Sequence, residues 1–485
     1  MNFADIIKML PGIAPEMIAK LPVMSIDTLR FAGSPTNFST SFGMRLAQGG
    51  VRGEVVMDMD KPDMVYDVKL NTHNLDVSPI LNMPSNISAS IDIKGAGTDL
   101  GKMNLDSKIS LNNSRIGLYN INRLFMKGDM NRGNTSIALT GDVDSAFIDF
   151  ALKTDLSDMK NLPYDFSLGV NSLDLSKTML PDLFTGRFDL YLAGRGRNFD
   201  PEDLESEISL DIRNLELRNN SLDSLDFDLT VKSEPGRAKT IDLKSTLMDF
   251  NLAGVFAYED LAEFAGMEAD SLQKRIMAKM ENYFPPKEEK VENVVVNTKK
   301  INKVKLPGKE KESTQDIMMN FRAAFKEMDL ISALLEFEDF SLDGKLEGSL
   351  VRNGSITAFA TNLNLDFLKF KLDEEGLFVT DAKLELAAAH PTNKFDTDKL
   401  KINTELAIKR LFLGTDVKNI ALQIGMENNL IKAEASADAT KEISAEINAG
   451  IDISQPELVA NFTNLNIDYK EFNLRNKRDF AIKYN

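Results

Sequence analysis

Ile87-Ser88-Ala89-Ser90-Ile91-Asp92-Ile93 decides the fold class. Ile87, Ala89, Ile91 and Ile93 share one parity, and Ser88, Ser90 and Asp92 share the other. That is the period of a strand with one apolar and one polar face. The same alternation runs through Phe188-Leu190-Leu192, Leu225-Phe227-Leu229-Val231, Leu384-Leu386 and Ile420-Leu422-Ile424-Met426. Asp, Asn, Ser, Thr and Lys occupy the other parity, as in antiparallel strands buried on one side only. Asn112-Asn113-Ser114 and Asn219-Asn220-Ser221 punctuate these runs at hairpin-like intervals.

Outward from this stretch the pattern repeats. Tyr66-Asp67-Val68-Lys69-Leu70, leading to Asn74-Leu75-Asp76-Val77-Ser78, returns as Tyr164-Asp165-Phe166-Ser167-Leu168, leading to Ser172-Leu173-Asp174-Leu175-Ser176, an offset of 98 residues. Gly95-Ala96-Gly97 with Leu105-Asp106-Ser107-Lys108-Ile109-Ser110-Leu111 returns at an offset of 99, as Gly194-Arg195-Gly196 with Leu204-Glu205-Ser206-Glu207-Ile208-Ser209-Leu210. Asn362-Leu363-Asn364-Leu365-Asp366 and Asn464-Leu465-Asn466-Ile467-Asp468 are weaker echoes.

Each copy changes parity at one place. Tyr66, Val68 and Leu70 give way to Leu75 and Val77; Tyr164, Phe166 and Leu168 give way to Leu173 and Leu175; Leu458, Ala460 and Phe462 give way to Leu465 and Ile467. Holding one face apolar across that change requires an extra residue. Bulges or bends are therefore predicted near Asn74, Ser172 and Asn464. Repeated bulges of one sense would curl the sheet into a trough.

Three segments read as amphipathic helix instead. Short helices are predicted in 1–28, where Phe3 to Met24 is broken by Pro11 and Pro15. A second is predicted over 260–283, ended by Pro285-Pro286. The third opens at Ser313-Thr314-Gln315-Asp316, similar to a capping box, and carries Ile317, Phe321, Phe325, Met328, Ile331 and Leu335 on one stripe. Between the last two, residues 285–312 are rich in Lys and Glu and read as a linker. The chain thus divides into N-terminal helices (1–28), a β-repeat block (29–257), a helix–linker–helix insertion (258–336) and a second β block (337–485).

Composition narrows the function. The chain has 485 residues, 43% of them hydrophobic, and a net charge of −17. That charge argues against nucleic acid or an anionic membrane surface as the main partner. The sequence has no cysteine and two histidines, His73 and His390. Thiolate nucleophiles and Cys-ligated metal sites are excluded, and a histidine cluster or triad would consume nearly the whole supply. Gly95-x-Gly97 and Gly194-x-Gly196 lack the third glycine and following helix of a phosphate loop and read as strand-end turns. Gly141-Asp142-Val143-Asp144 lacks calcium-loop spacing and reads as a solvated turn. No G-x-S-x-G, H-E-x-x-H or P-loop occurs. No enzyme, metal or cofactor is expected. No window reaches the roughly 18 apolar residues of a membrane helix, and no secretory signal is present as written. Without an anchor or a closing cap, the sequence is expected to be a piece of a longer polypeptide.

The alternating strands, the two Gly-x-Gly blocks at 95–111 and 194–210, and the Asn/Ser-Leu-x-Leu/Val motifs together resemble the AsmA-like superfamily, in its TamB (translocation and assembly module) branch. The opening Phe3-Ala4-Asp5-Ile6-Ile7-Lys8-Met9-Leu10-Pro11 is similar to the short helices that precede β repeats in that group. The resemblance covers most of the chain outside the linker. It implies a long β-sheet curled into an apolar groove (β-taco-like) in the cell envelope of diderm bacteria. It further implies an inner-membrane anchor in the full-length protein, passage through the periplasm, and carriage of phospholipids between inner and outer membranes. Assistance to outer-membrane protein assembly or translocation with an Omp85-type partner is also implied. This sequence has no recognisable anchor or partner-binding domain.

A sheet with one apolar face must cover it, close on itself, or use it. The candidate lining residues for acyl chains are Ile87, Ile91, Ile93, Ile109, Leu111, Phe188, Leu190, Leu192, Ile208, Leu210, Leu384, Leu386, Leu422 and Ile424. The alternatives are a surface adhesin or structural β repeat that binds other proteins, and a scaffold whose strand edges pair with unfolded outer-membrane strands.

Overall fold

The computed structural model describes residues 24–46, 49–78, 83–174, 184–217, 220–233, 236, 238–258, 316–326, 338–372, 375–392, 397–440, 443–454 and 458–484. Among them the chain is almost wholly strand, as the period-two pattern requires. Three strands come first: β1 (Met24–Gly33), β2 (Asn37–Leu46) and β3 (Gly50–Asp58).

Seven strands then form a set. They are β4 (Val65–His73), β5 (Ser85–Asn86), β6 (Ala89–Ala96), β7 (Asn104–Ile116), β8 (Tyr119–Asn131), β9 (Asn134–Val143) and β10 (Ala146–Asp155). The set recurs as β11 (Pro163–Asp174), β12 (Phe184–Thr185), β13 (Arg187–Arg197), β14 (Glu205–Leu217), β15 (Asn220–Lys232), β16 (Lys239–Ser245) and β17 (Met248–Val255). Next come β18 (Ile317–Phe325), β19 (Glu338–Arg352), β20 (Ile356–Leu372), β21 (Glu375–Pro391), β22 (Lys401–Leu413) and β23 (Thr415–Glu427). The last are β24 (Leu430–Thr440), β25 (Ile443–Asp452), β26 (Leu458–Tyr469), β27 (Phe472–Arg475) and β28 (Phe480–Tyr484).

The strands make an antiparallel sheet that does not close. Most strands pair with the next in sequence; β26 pairs with both β27 and β28, and one further exception is repeated. In each seven-strand set the first strand pairs with the third, β4 with β6 and β11 with β13, while the two-residue strand between them pairs with the far end of the fourth. Contacts divide the chain into two compact units. The first is 1–232 with 243–246, and the second is 233–242 with 247–485.

The bend sites follow the parity slips. Asn74 and Ser172 have left-handed backbone (φ 48° and 58°). Around Ser172 the pairing with β13 steps from Val170–Leu190 to Leu173–Phe188, two residues against one. Near Asn464 the register with β25 steps from Asn448–Asn464 to Ala449–Phe462, leaving Thr463 over. In every case a polar side chain from a neighbouring segment accepts a backbone N–H at the bend. The Asn74 N–H donates to Ser88 Oγ (3.0 Å), the Ser172 N–H to Asp189 Oδ1 (2.8 Å) and the Leu465 N–H to Asn476 Oδ1 (2.9 Å).

Register also refines the repeat. Tyr66 lies opposite Gly95 and Tyr164 opposite Gly196; Asn113 and Asn214 are the left-handed residues of β7 and β14. The second block is therefore structurally equivalent at an offset of 101, two residues beyond its best sequence likeness. A shift of two keeps every side chain on its own face.

Three sequence expectations fail. Ile317 to Phe325 is not helical but strand β18, paired with β17 and β19. Ile317, Phe321 and Phe325 are spaced by four, which satisfies one face of a helix and one face of a strand alike. Met319 and Ala323 complete the strand face, and the pairing of two neighbours decides the outcome. Met24 to Thr28 likewise belongs to β1 rather than to an N-terminal helix. Asn112-Asn113-Ser114 marks a bend inside β7, not a hairpin turn. The remaining helical expectations (1–23, 260–283 and 327–335) and the linker lie outside the described residues.

Candidate functional site

In an antiparallel sheet, residues directly opposite one another share a face, so register can be followed as rows across many strands. In the first unit one row reads Leu70, Ile91, Ile109, Met126, Leu139, Phe150, Leu168, Leu192, Leu210 and Phe227, on ten strands from β4 to β15. A second row carries Val68, Ile93, Ser107, Gly128, Ile137, Leu152, Phe166, Gly194, Ile208 and Leu229. A third carries Leu111, Leu124, Gly141, Ile148, Val170, Leu190, Ile212 and Leu225. No ionisable side chain interrupts any of the three.

The sequence candidates fall on this face. Ile91, Ile109, Leu192 and Leu210 stand in the first row, Ile93 and Ile208 in the second, and Leu111 and Leu190 in the third. Ile87, bridged to Leu75, and Phe188, opposite Leu173, lie beyond the bends. In the second unit Leu384 and Leu422 share the row Phe250, Ala323, Leu346, Leu363, Leu384, Leu406, Leu422, Ala435 and Ile447. Leu386 and Ile424 share the adjacent row with Leu252, Phe321, Gly348, Thr361, Thr404, Ala433 and Ala449. Sequence reading missed Met126, Leu139, Phe150, Leu168 and Phe227 as members of the first row. Parity places each on one face of its own strand, but only the cross-strand register puts all five in line.

Burial is uneven along the strands. All ten residues of the first row are only partly buried. The buried apolar side chains of this unit (Ile121, Met130, Ala146, Val170, Phe188, Leu215, Leu225 and Val231) lie toward the strand ends, at the bends or the opposite turns. Extensive contacts between described elements run between strands that are neighbours in the sheet. Among the described residues the second unit holds a compact core, Leu252, Phe256, Ile317 and Leu350, backed by Phe250, Met319, Phe321 and Phe359. Its later strands show the same partly exposed alternation.

Some glycines on this face act as seats for rings. A Cβ on Gly95 would stand 2.4 Å from the Tyr66 ring, and one on Gly194 would stand 2.5 Å from Phe166. The aromatic side chain lies over the strand it faces, which keeps the face low and pins the register.

The other face is charged. Glu54, Lys69, Asp92 and Lys108 oppose one another with alternating sign across β3, β4, β6 and β7. Ion pairs cross it at Lys94–Asp67 (3.7 Å), Arg195–Glu207 (2.5 Å) and Arg322–Glu347 (2.8 Å). These pairs are exposed and contribute about 0–1 kcal/mol each. Their consequence is register, since opposite charges face one another across the strands. Shallow hollows in the second unit also lie on this face, one lined by Asn320, Arg322, Glu347, Asn362, Glu385 and Asn403 over the small side chains of Ala360 and Ala387.

Among the described residues no group of three or more acidic or histidine side chains is arranged to hold a metal ion. His73 is exposed and its Nε2 lies 3.1 Å from Asn74 Nδ2; His390 Nδ1 lies 2.9 Å from the Pro391 carbonyl. Comparison with protein families, curated proteins and solved structures finds no match.

Proposed function

We propose that the protein is a carrier of acyl chains, which lie on the apolar face of its sheet. The carrying observation is the row from Leu70 to Phe227, ten uncharged apolar side chains on ten strands, every one of them only partly buried. A soluble chain gains nothing from such a face unless something apolar occupies it. Each buried CH₂ of an acyl chain contributes about 0.8 kcal/mol. The recurrent bends favour a sheet curled into a β-taco-like groove, and the charged opposite face suits the outside of such a groove.

The resemblance to the AsmA-like superfamily and its TamB branch supports a more specific role. In that role the protein resides in the envelope of a diderm bacterium and carries phospholipid between inner and outer membranes. An Omp85-type partner and a part in outer-membrane protein assembly belong to the same proposal. No reaction is assigned. A second reading, a structural or adhesin-like β repeat that binds proteins, draws on the ion-paired polar face.

Lipid extraction of the purified protein followed by mass spectrometry separates the two. The carrier co-purifies with phospholipid, and Ile91→Asp and Leu190→Asp each remove most of it while the melting transition remains cooperative. An adhesin-like repeat carries none. Normal lipid loading in both variants sinks the groove reading.

A further inference from the structure

We infer that the strand pair and loop from Tyr469 to Tyr484 form a docking surface for an anionic lipid bilayer. Two independent observations converge there. Tyr469, Phe472, Leu474, Phe480 and Ile482 are all exposed, Phe472 by 63% and Ile482 by 54%, the densest run of exposed large apolar side chains among the described residues. The same segment carries Lys470, Arg475, Lys477, Arg478 and Lys483 against only Glu471 and Asp479, a local excess of cations in a chain whose net charge is −17.

Register places the apolar members on one face. Tyr469 is opposite Phe472, Ile467 opposite Leu474, Phe462 opposite Phe480 and Ala460 opposite Ile482. This is the face that bears the apolar rows of the second unit. The cations border it: Lys470 in the β26–β27 turn, Lys477 and Arg478 in the β27–β28 loop. Lys470, Lys477, Arg478 and Lys483 form no ion pair among the described residues. Lys470 instead lies 5.6 Å over the Tyr469 ring.

An anionic bilayer offers both complements at once, phosphate for the cations and an acyl interior for Phe472 and Leu474. The acidity of the rest of the chain does not oppose this at contact. At physiological ionic strength its repulsion is screened beyond about 8 Å, so the charges in the patch decide.

The surface does not depend on the carrier reading, and the two fail separately. The full chain is floated with vesicles of phosphatidylcholine alone or with about a third phosphatidylglycerol, a composition whose surface potential attracts polybasic segments. Binding is expected to the anionic vesicles only and to weaken as salt rises. Lys477→Glu with Arg478→Glu lowers it at least about tenfold, the size expected when charges near an anionic surface are reversed. Phe472→Ser lowers it too, Lys477→Arg preserves it, and Ile91→Asp leaves it unchanged. Equal binding to both vesicle types, or indifference to the charge reversal, overturns the inference. So does self-association of the chain that the same variants abolish in the absence of vesicle binding.

Discussion

Asp189 receives the Ser172 N–H on one carboxylate oxygen (2.8 Å) and the Asn214 side-chain amide on the other (3.3 Å), so a single side chain brackets two bent strands. Truncating it leaves the Ser172 N–H without its acceptor. Asp189→Ala is expected to cost about 1–2 kcal/mol, read as a lower urea midpoint with an unchanged slope, whereas Asp189→Asn retains an acceptor and loses less. Gly196 is constrained differently. A Cβ there would stand 2.2 Å from the Glu205 carbonyl oxygen, which belongs to backbone and cannot swing away. Gly196→Ala should therefore destabilise by about 1–3 kcal/mol, the usual cost of overpacking, in the same urea experiment. The bends themselves could be read from sequence, because parity at Leu168 and Leu173 cannot be reconciled on one face without an extra residue. Their brackets could not. Asp189 is 17 residues from Ser172 and 25 from Asn214, and nothing local marks an aspartate that caps a distant bulge.

Among the larger elements, the turns carry a recurrent Asp-x-Ser device, seen at Asp76–Ser78, Asp155–Ser157 and Asp452–Ser454. In each, the serine hydroxyl and its backbone N–H both donate to the aspartate and hold its pKa below the ordinary 3.8. A depressed folded-state pKa gives stability that is present above 3.8 and is lost as pH falls through the lower, folded value. Urea midpoints should therefore fall between pH 6 and pH 3. Ser157→Ala should lower the midpoint at pH 6 and reduce its fall toward pH 3; an unchanged pH profile would remove these turns from the account. Strand β18 shows where element-level reading breaks down. A spacing of four fits either periodicity, and the apparent cap at Ser313 suggested a helix. Pairing with Met248–Val255, which precedes β18 by about sixty residues, outweighed both. The hairpin of β7 and β8 was legible only as alternation, since Asn112-Asn113-Ser114 reads as its turn while the turn falls at Gly117 and Leu118.

At the scale of the whole molecule, the question is whether the apolar rows are a surface in use or an incompletely packed core. The two differ in how ligand size enters the free energy. Rows that run uninterrupted across ten strands, like the one from Leu70 to Phe227, present no wall to an alkyl chain lying along them, so each added CH₂ finds the same environment as the last. At about 0.8 kcal/mol per CH₂ the dissociation constant should tighten by up to about fourfold per carbon. The trend should continue smoothly from a ten-carbon to a sixteen-carbon fatty acid displacing a solvatochromic dye. A small internal cavity behaves otherwise: affinity rises until the cavity is full and then drops, because the next methylene must displace packed side chains. A filled sandwich shows no dependence on chain length at all. Sequence alternation established that one face is apolar, but it was silent on whether that face is covered, since Ile91 reads the same beneath a second layer as beneath a ligand. The partial exposure of the whole row from Leu70 to Phe227 makes the smooth chain-length series the expected result. A break within that series would mean that the face is divided into separate pockets rather than continuous.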